Sequence, residues 1–509
     1  MAKVTFGNIL GGVNYTVPPN ELPQYSLADA QNIVPILTGY GAPRGGSSRL
    51  AQYGSTIITS LHEFVSGGTS YVFAASGTKV GVYTTATGAF ADHITGLTSG
   101  AYGQWWNYGD YAIYANGANN VQKSTGAAGN DLTADLAGIP GGRCVAEWGE
   151  RIWIGGYDSN IARLTGSALR EPTNFSTAGD AGFWQGYVGN KKQGITALFP
   201  FFDILMIGKL NQIYQLTGAP ETDSSTFRLL PLQTKDKDSF GFTAKNAITQ
   251  VGNDCIFLDG FNIKALSGIQ SYGDVESISI IGNIKDFFRD PAGAGLDTDY
   301  LQYARFFHYK HKEQIYCSIP TGASTRYWFV IDYSNQEMRQ KAELPKYSFF
   351  PMTGLIPISI TGVENGSMVD PYAGLEDGWV VQLDTGTNDH TTAVDSHMTW
   401  CFGLPGVMIQ PGYIDLFVRG SGVTLASYYV MGLQEWQEII DSTNYTALAS
   451  EDTSGSSWRT GGTVAHKRIA SFLYNTGESF AFKLRHNTAG ETYEMRKSTF
   501  AYTPKYGYA

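Results

Sequence analysis

Along most of the chain, apolar residues come in short runs that reach a tight turn and start again, with little of the 3.6-residue spacing that marks helices. In Ala146-Glu147-Trp148-Gly149-Glu150-Arg151-Ile152-Trp153-Ile154-Gly155-Gly156 and in Ala197-Leu198-Phe199-Pro200-Phe201-Phe202-Asp203-Ile204-Leu205-Met206-Ile207-Gly208, one run meets Trp148-Gly149-Glu150 or Phe202-Asp203 and returns as a second. This is the pattern of a buried β-hairpin. Related phrases run from Ala247 to Asp259 around Gly252-Asn253-Asp254 and from Trp105 to Ala115 around Tyr108-Gly109-Asp110. A strand-filled period of roughly 40–50 residues predicts a β-propeller, whose units cannot bury their faces alone and stack radially. The pattern places seven units over residues 51–394, beginning near residues 56, 100, 143, 193, 243, 299 and 348. Six is the alternative, because the last unit is weak. Trp153 and Phe202, which flank turns inside apolar runs, are both expected to be buried.

The flanks differ. Residues 1–50, punctuated by Gly11-Gly12, Pro18-Pro19, Pro23, Pro35, Pro43 and Gly45-Gly46, read as an irregular arm or closing segment with a short helix over Ser26 to Asn32. A second helix is expected where Ile281, Ile284, Phe287 and Phe288 recur at helical spacing before Asp290-Pro291. From residue 395 to 509, alternating strands at Tyr413–Arg419, Ala470–Tyr474, Phe480–Arg485 and Tyr493–Arg496 predict a C-terminal antiparallel β-sandwich. The expected fold class is therefore all-β: an arm, a propeller and a sandwich.

Composition sharpens this picture. Of 509 residues, 61 are Gly and 13% are Phe, Trp or Tyr, while 16% are charged, which suits turns and aromatic strands. The N-terminus shows no secretory signal pattern, and no apolar run is long enough to cross a bilayer, so a cytosolic, non-inserted chain is expected. Cys144, Cys255, Cys317 and Cys401 are far apart, three of them in apolar runs, and are expected as buried thiols without disulfides. The sequons at Asn14, Asn174, Asn365 and Asn444 mean nothing without secretion. A net charge of −10 argues against a protein that grips nucleic acid. Residues 395–460 hold seven acidic and two basic side chains and 461–509 hold three and seven. These are either solvated strand faces or surfaces that meet unlike neighbours in a ring, with 1–394 then soluble alone.

Catalytic patterns are missing: no Gly-x-Ser-x-Gly, no Gly-x-x-x-x-Gly-Lys, no His-Glu-x-x-His and no Cys-x-x-Cys. No catalytic residue, cofactor or metal is assigned. Asp384, Asp389, His390, Asp395 and His397 fall within 14 residues and read either as a polar loop or as a metal cluster. Asp92-His93, and His308 near Lys310-His311, are weaker pairings of the same kind. Gln104-Trp105-Trp106-Asn107-Tyr108 is either blade packing or a sugar-stacking platform.

The opening Phe6-Gly7-Asn8-Ile9-Leu10-Gly11-Gly12-Val13-Asn14, followed by Pro18-Pro19-Asn20-Glu21-Leu22-Pro23, Ala28-Asp29-Ala30-Gln31-Asn32-Ile33 and Arg44-Gly45-Gly46-Ser47, resembles the start of tail hub or tail nozzle proteins of short-tailed bacteriophages. Arg151 to Gly156 with Ser167 and Glu171-Pro172-Thr173-Asn174-Phe175, Ile195 to Pro200 through Asn211 to Gly218, and Gly378 to Gly386 leading into Thr399-Trp400 are similar to later parts of such proteins. Residues 51–140 match only the generic blade pattern. The resemblance implies a structural virion protein made in the host cytoplasm. It would form a homo-oligomeric ring, a hexamer in the nozzle case, below the portal adaptor, support fibres or spikes, and let double-stranded DNA pass without specific binding. The competing reading from the residues is a carbohydrate-binding or carbohydrate-cleaving propeller.

Overall fold

The computed structural model describes residues 1–18, 21–36, 39–126, 141–178, 181–218, 224–232, 240–267, 277–285, 288, 296–404, 407–420, 425–431, 464–469, 479–487, 489–490 and 492–505. Among the described residues, seven successive antiparallel sheets follow one another in the order of the chain. Their innermost strands are Ile58–Ser66, Gln104–Tyr108, Cys144–Trp148, Ala197–Phe201, Ile248–Val251, Arg305–Tyr309 and Ser359–Asn365, and we number the blades 1 to 7 in that order. Ile58–Ser66 contacts both Gln104–Tyr108 and Ser359–Asn365, so the row of blades closes into a ring. The protein is a seven-bladed β-propeller with an attached sandwich. Blade 7 begins at Ser359 rather than near 348, because Ser348–Met352 is the last strand of blade 6, paired with Arg326–Asp332.

Each blade buries both faces, which explains the continuous apolar runs. A separate apolar core sits between each pair of neighbours. Phe64, Phe73 and Trp105 join blades 1 and 2, Trp148, Trp153 and Leu205 join 3 and 4, and Met206, Phe242 and Phe257 join 4 and 5. Arg151–Gly155 is buried throughout, and Trp153 donates its indole N–H to the Trp148 carbonyl at 3.0 Å while packing against Trp184 and Phe227. Phe202 is not buried. It occupies the first position of the Phe202-Asp203 turn with φ +52° and is 55% exposed, because a two-residue hairpin loop projects past the sheet.

The arm closes the propeller: Ser47–Gln52 pairs antiparallel with Trp379–Leu383 as the fourth strand of blade 7. The close passage explains the glycines before it, since a Cβ at Gly46 would overlap the Asn388 carbonyl and one at Gly45 would overlap the Asp384 carboxylate. The rest of the arm is part of the sandwich. Asp29–Gln31 pairs with Ser396–Gly403 in a four-stranded sheet, while Ala2–Phe6 and Gly41–Pro43 pair with Tyr493–Lys505 in the facing six-stranded sheet. The helix expected over Ser26 to Asn32 is instead the strands Ser26–Leu27 and Asp29–Gln31, because sheet pairing overrides a weak local cap signal. At 281–288 the described residues hold the 3₁₀ turn Gly282–Ile284, with Ile284 and Phe288 buried; Phe287 and Asp290-Pro291 lie outside the described residues, as does the strand expected at 470–474.

Sandwich and propeller share one core. Phe6, Ile9, Val13 and Leu27 from the arm, Trp400, Phe482 and Phe500 from the C-terminal part, and Trp328, Phe350 and Met352 from blade 6 belong to a single apolar cluster. Among the described residues, two acidic positions of 395–460 meet basic positions of 461–509 inside the sandwich. The two segments interleave in the same sheets: Asp415 stands opposite Arg468 in register, and Asp395 is paired with Arg485 at 2.7 Å. Among the described residues no helix is long and apolar enough to cross a membrane.

Candidate functional site: the axial mouth of the propeller

In a propeller the innermost strands start together near the axis, so residues at their N-terminal ends converge whatever their separation in sequence. Here those positions hold Gln104, Arg143 just before Cys144, Lys245 and Asn246 just before blade 5, and Arg305. The Arg305 guanidinium donates from Nη2 to the carbonyls of Thr59 at 2.9 Å and Gly103 at 3.0 Å, reaching from blade 6 to blades 1 and 2. Lys245 Nζ reaches the carbonyls of Arg143 at 2.7 Å and Ala115 at 3.3 Å, from blade 5 to blades 3 and 2. Gln104 accepts from the Val145 amide at 3.1 Å and donates to the Lys245 carbonyl at 3.4 Å. In a ring of seven, blades 5 and 6 stand opposite blade 2, so these bonds span the axis and fill it with side chains.

Above this layer lies a cavity of about 370 Å³ whose wall includes Arg143, Lys245, Tyr102, Tyr303, Asn116 and Gln302, with no Asp or Glu among the described lining residues. Tyr102 and Tyr303 stack with ring centroids 4.1 Å apart, and Arg326 holds both, donating to the Tyr303 carbonyl at 3.1 Å and the Tyr102 hydroxyl at 3.2 Å. Burial pulls the Lys245 ammonium down to about 7, with Arg305 and Arg143 acting in the same direction against Cys144. Burial also lowers Arg305 to about 10, helped by Arg326. Four cations thus gather at the axis, and their described hydrogen-bond partners are carbonyls and a phenol rather than carboxylates.

The residues singled out from the sequence lie elsewhere. Asp384, Asp389, His390, Asp395 and His397 do not converge: Asp384 pairs with Lys312 at 2.6 Å, Asp389 with Arg44, Asp395 with Arg485 and His397 with Asp29 at 2.8 Å. His390 lies at the turn with φ +56°, its amide donating to the Ser47 carbonyl. Among the described residues no three His, Cys, Asp or Glu come together as a metal site. Two of these carboxylates instead border the arm, since Asp389 also accepts from Ser47 at 3.1 Å and Asp384 abuts Gly45. Asp92 and His93 point to opposite faces of one strand, as neighbours on a strand must: Asp92 accepts from Tyr53 at 3.0 Å, and His93 is bonded to Ser124 at 2.8 Å. His308 is bonded to Tyr333, while Lys310 and His311 lie on a 3₁₀ turn. Trp105 is buried between blades 1 and 2, stacked on Phe73 and His62 with its indole N–H on Ser60 at 3.1 Å, which makes the Gln104 to Tyr108 cluster packing rather than a sugar platform. The four cysteines are buried free thiols. The axial cations were missed, although Arg143, Lys245 and Arg305 each stand at or just before the start of an apolar inner strand, because that signal needs the blade phase to be known first.

No family model matches the chain, and no curated protein is similar to it. Among solved structures it is similar to the WD40 β-propeller domain of Doa1, at 11% identity and a TM-score of 0.40 over 67% of this chain and 96% of that one. It is similar also to the Neurospora crassa Pan2 WD40 domain (6% identity, TM-score 0.39, 68% and 97%) and to the computationally designed Ika8 protein (12%, 0.36, 66% and 99%). The fold assignment rests on the strand pairing and inter-blade cores described above.

Proposed function

We propose that the chain is a non-catalytic structural protein of a short-tailed bacteriophage tail, of the nozzle or hub type, which assembles as a ring beneath a portal adaptor and carries fibres or spikes. One observation supports this reading most. The N-terminal phrases that resemble the tail proteins, Phe6 to Asn14, Ala28 to Ile33 and Arg44 to Ser47, are those that tie the sandwich to the propeller: Ile9, Val13 and Ile33 are buried in the shared core, and Arg44 anchors the closing strand. The resemblance therefore falls on residues that determine this architecture rather than on interchangeable blade strands. Because side chains span the propeller axis, the conduit for DNA in this reading is the lumen enclosed by several copies. Among the described residues lining the axial cavity there is no carboxylate pair of the kind glycosidases use, so the cavity lends no support to the carbohydrate-cleaving alternative.

Sedimentation velocity and negative-stain imaging of the purified full chain test the proposal. The expected result is a ring with a central hole, a hexamer in the nozzle case. A protein that remains monomeric at all concentrations, or that turns over a cell-surface polysaccharide, would overturn it.

A further inference from the structure

The axial mouth carries a charge arrangement that the packing of the blades does not require. Arg143 is exposed at the rim, its stem held between Gly117 and Gly156, and its guanidinium makes no hydrogen bond or ion pair among the described residues. Lys245 lies in the wall, and beneath it Arg305 and Arg326, each 7% exposed, keep a buried Nε–H without a partner. Buried cations beneath an exposed one, with unused donors and no carboxylate partner among the described residues, are costly unless an anion joins them. The nearest acids along the chain are Asp297 and Asp299, on either side of the lining residue Thr298, where Asp297 Oδ1 accepts from the Asp299 amide at 2.9 Å. Five blades contribute to the wall, so the site exists only in the closed ring, and its volume of about 370 Å³ falls in the range of small-molecule pockets.

We propose that this mouth binds a small organic anion bearing a phosphate or sulfate group, with Arg143 and Lys245 taking the oxyanion and the Tyr102–Tyr303 stack walling the remainder of the ligand. Arginine matches a tetrahedral oxyanion with paired donors, and a charge-assisted bond in a partly dry site is stronger than one in water. Protonated Lys245 adds a further positive charge. Because its ammonium is pulled down to about 7 by burial, with Arg305 and Arg143 adding to the effect and Cys144 opposing it, affinity should fall as pH rises through neutrality. The inference stands on the cavity alone and does not depend on a role in a phage tail.

Calorimetric titration of the full chain with sodium sulfate, glucose 6-phosphate and AMP, against glucose and adenosine at matched ionic strength, tests it. The two phosphorylated compounds distinguish a sugar phosphate from a nucleotide. Sulfate does not titrate near neutrality, so its pH dependence reports the protein. Saturable binding of at least one anion and not of its neutral counterpart is expected, weakened about tenfold by Arg143→Gln, as loss of a charge-assisted hydrogen bond predicts. The exposed Lys341→Gln should leave it unchanged, and thermal unfolding in chloride should show Arg143→Gln folded as the parent. Absence of saturable binding for all three anions, or equal binding by Arg143→Gln, would overturn the proposal.

Discussion

The Arg339 guanidinium donates to the Leu10 carbonyl at 2.6 Å, joining a short helix between the last two strands of blade 6 (Gln336–Lys341) to the N-terminal arm across 329 positions of sequence. The same guanidinium pairs with Asp332 at 2.6 Å, with both side chains almost wholly buried, and donates to the carbonyls of Ser334 and Pro345 and to the Ser348 hydroxyl. Asp332 in turn accepts from Gln314 and Ser334. Every polar group of the pair is engaged, a condition under which a buried ion pair fixes geometry instead of merely costing desolvation energy. Arg339→Ala strands Asp332 and the Leu10 carbonyl, and should lower stability by about 3–5 kcal/mol. Urea unfolding of the variant checks this, and a loss under about 1 kcal/mol would show that the arm is held by strand pairing and apolar contacts without this ion pair.

Trp153 and Phe202 occupy similar sequence contexts and should respond in opposite ways. Trp153→Ala opens a cavity between blades 3 and 4 and should cost about 3–5 kcal/mol. Phe202→Asn should change stability by no more than about 0.5 kcal/mol, because the ring is exposed and Asn accepts positive φ more readily than Phe. Thermal unfolding of the two variants side by side measures the contrast.

Lys245 makes stability depend on pH in a direction opposite to that of a salt-bridged lysine. Burial lowers its folded pKa to about 7 from the usual 10.5 of a lysine, so between these values the unfolded chain holds the proton and the folded chain does not. Stability therefore rises with pH across that window, by up to about 1.4 kcal/mol per unit, and is level below it, where both states are protonated. Lys245→Met should remove this rise. Denaturation midpoints taken at several pH values through the window for parent and variant give the test; parallel curves would mean that Lys245 stays charged when buried.

How much of this was legible beforehand follows from the range of the interactions. Strand and turn residues such as Trp148-Gly149-Glu150 announce themselves locally, since the hairpin needs positive φ at Gly149 and Glu150 and an apolar run on each side. The blade phase was therefore readable, except where Ser348–Met352 resembled the opening of a new unit. Burial at a turn was not, because Phe202 lies one residue beyond the strand Ala197–Phe201, and an apolar run does not show where its sheet ends. The arm was misread in part because Asp29–Gln31 pairs with Ser396–Gly403, more than 360 positions away, and no local signal encodes that partner. The axial cations were hidden for the same reason: Lys245 and Ala115 meet only when seven blades close.

The shared core also decides what happens when the chain is cut. Treated as a separate C-terminal domain, 395–509 could be removed and leave 1–394 as a soluble monomer. The structure argues otherwise: truncation at 394 takes away the strands that pair with Ala2–Phe6 and Asp29–Gln31 and uncovers Phe6, Ile9, Val13, Leu27 and Ile33, together with Trp328, Phe350 and Met352 on blade 6. An exposed apolar patch of this kind beside unpaired strand edges is an aggregation site. Chain 1–394 should therefore be insoluble or associate non-specifically. Adding salt should not rescue it, because salt screens charge and does not weaken apolar association. Size-exclusion chromatography of 1–394 beside the full chain provides the measurement. A monodisperse, cooperatively unfolding 1–394 monomer would show that the arm folds onto the propeller without its sandwich partners.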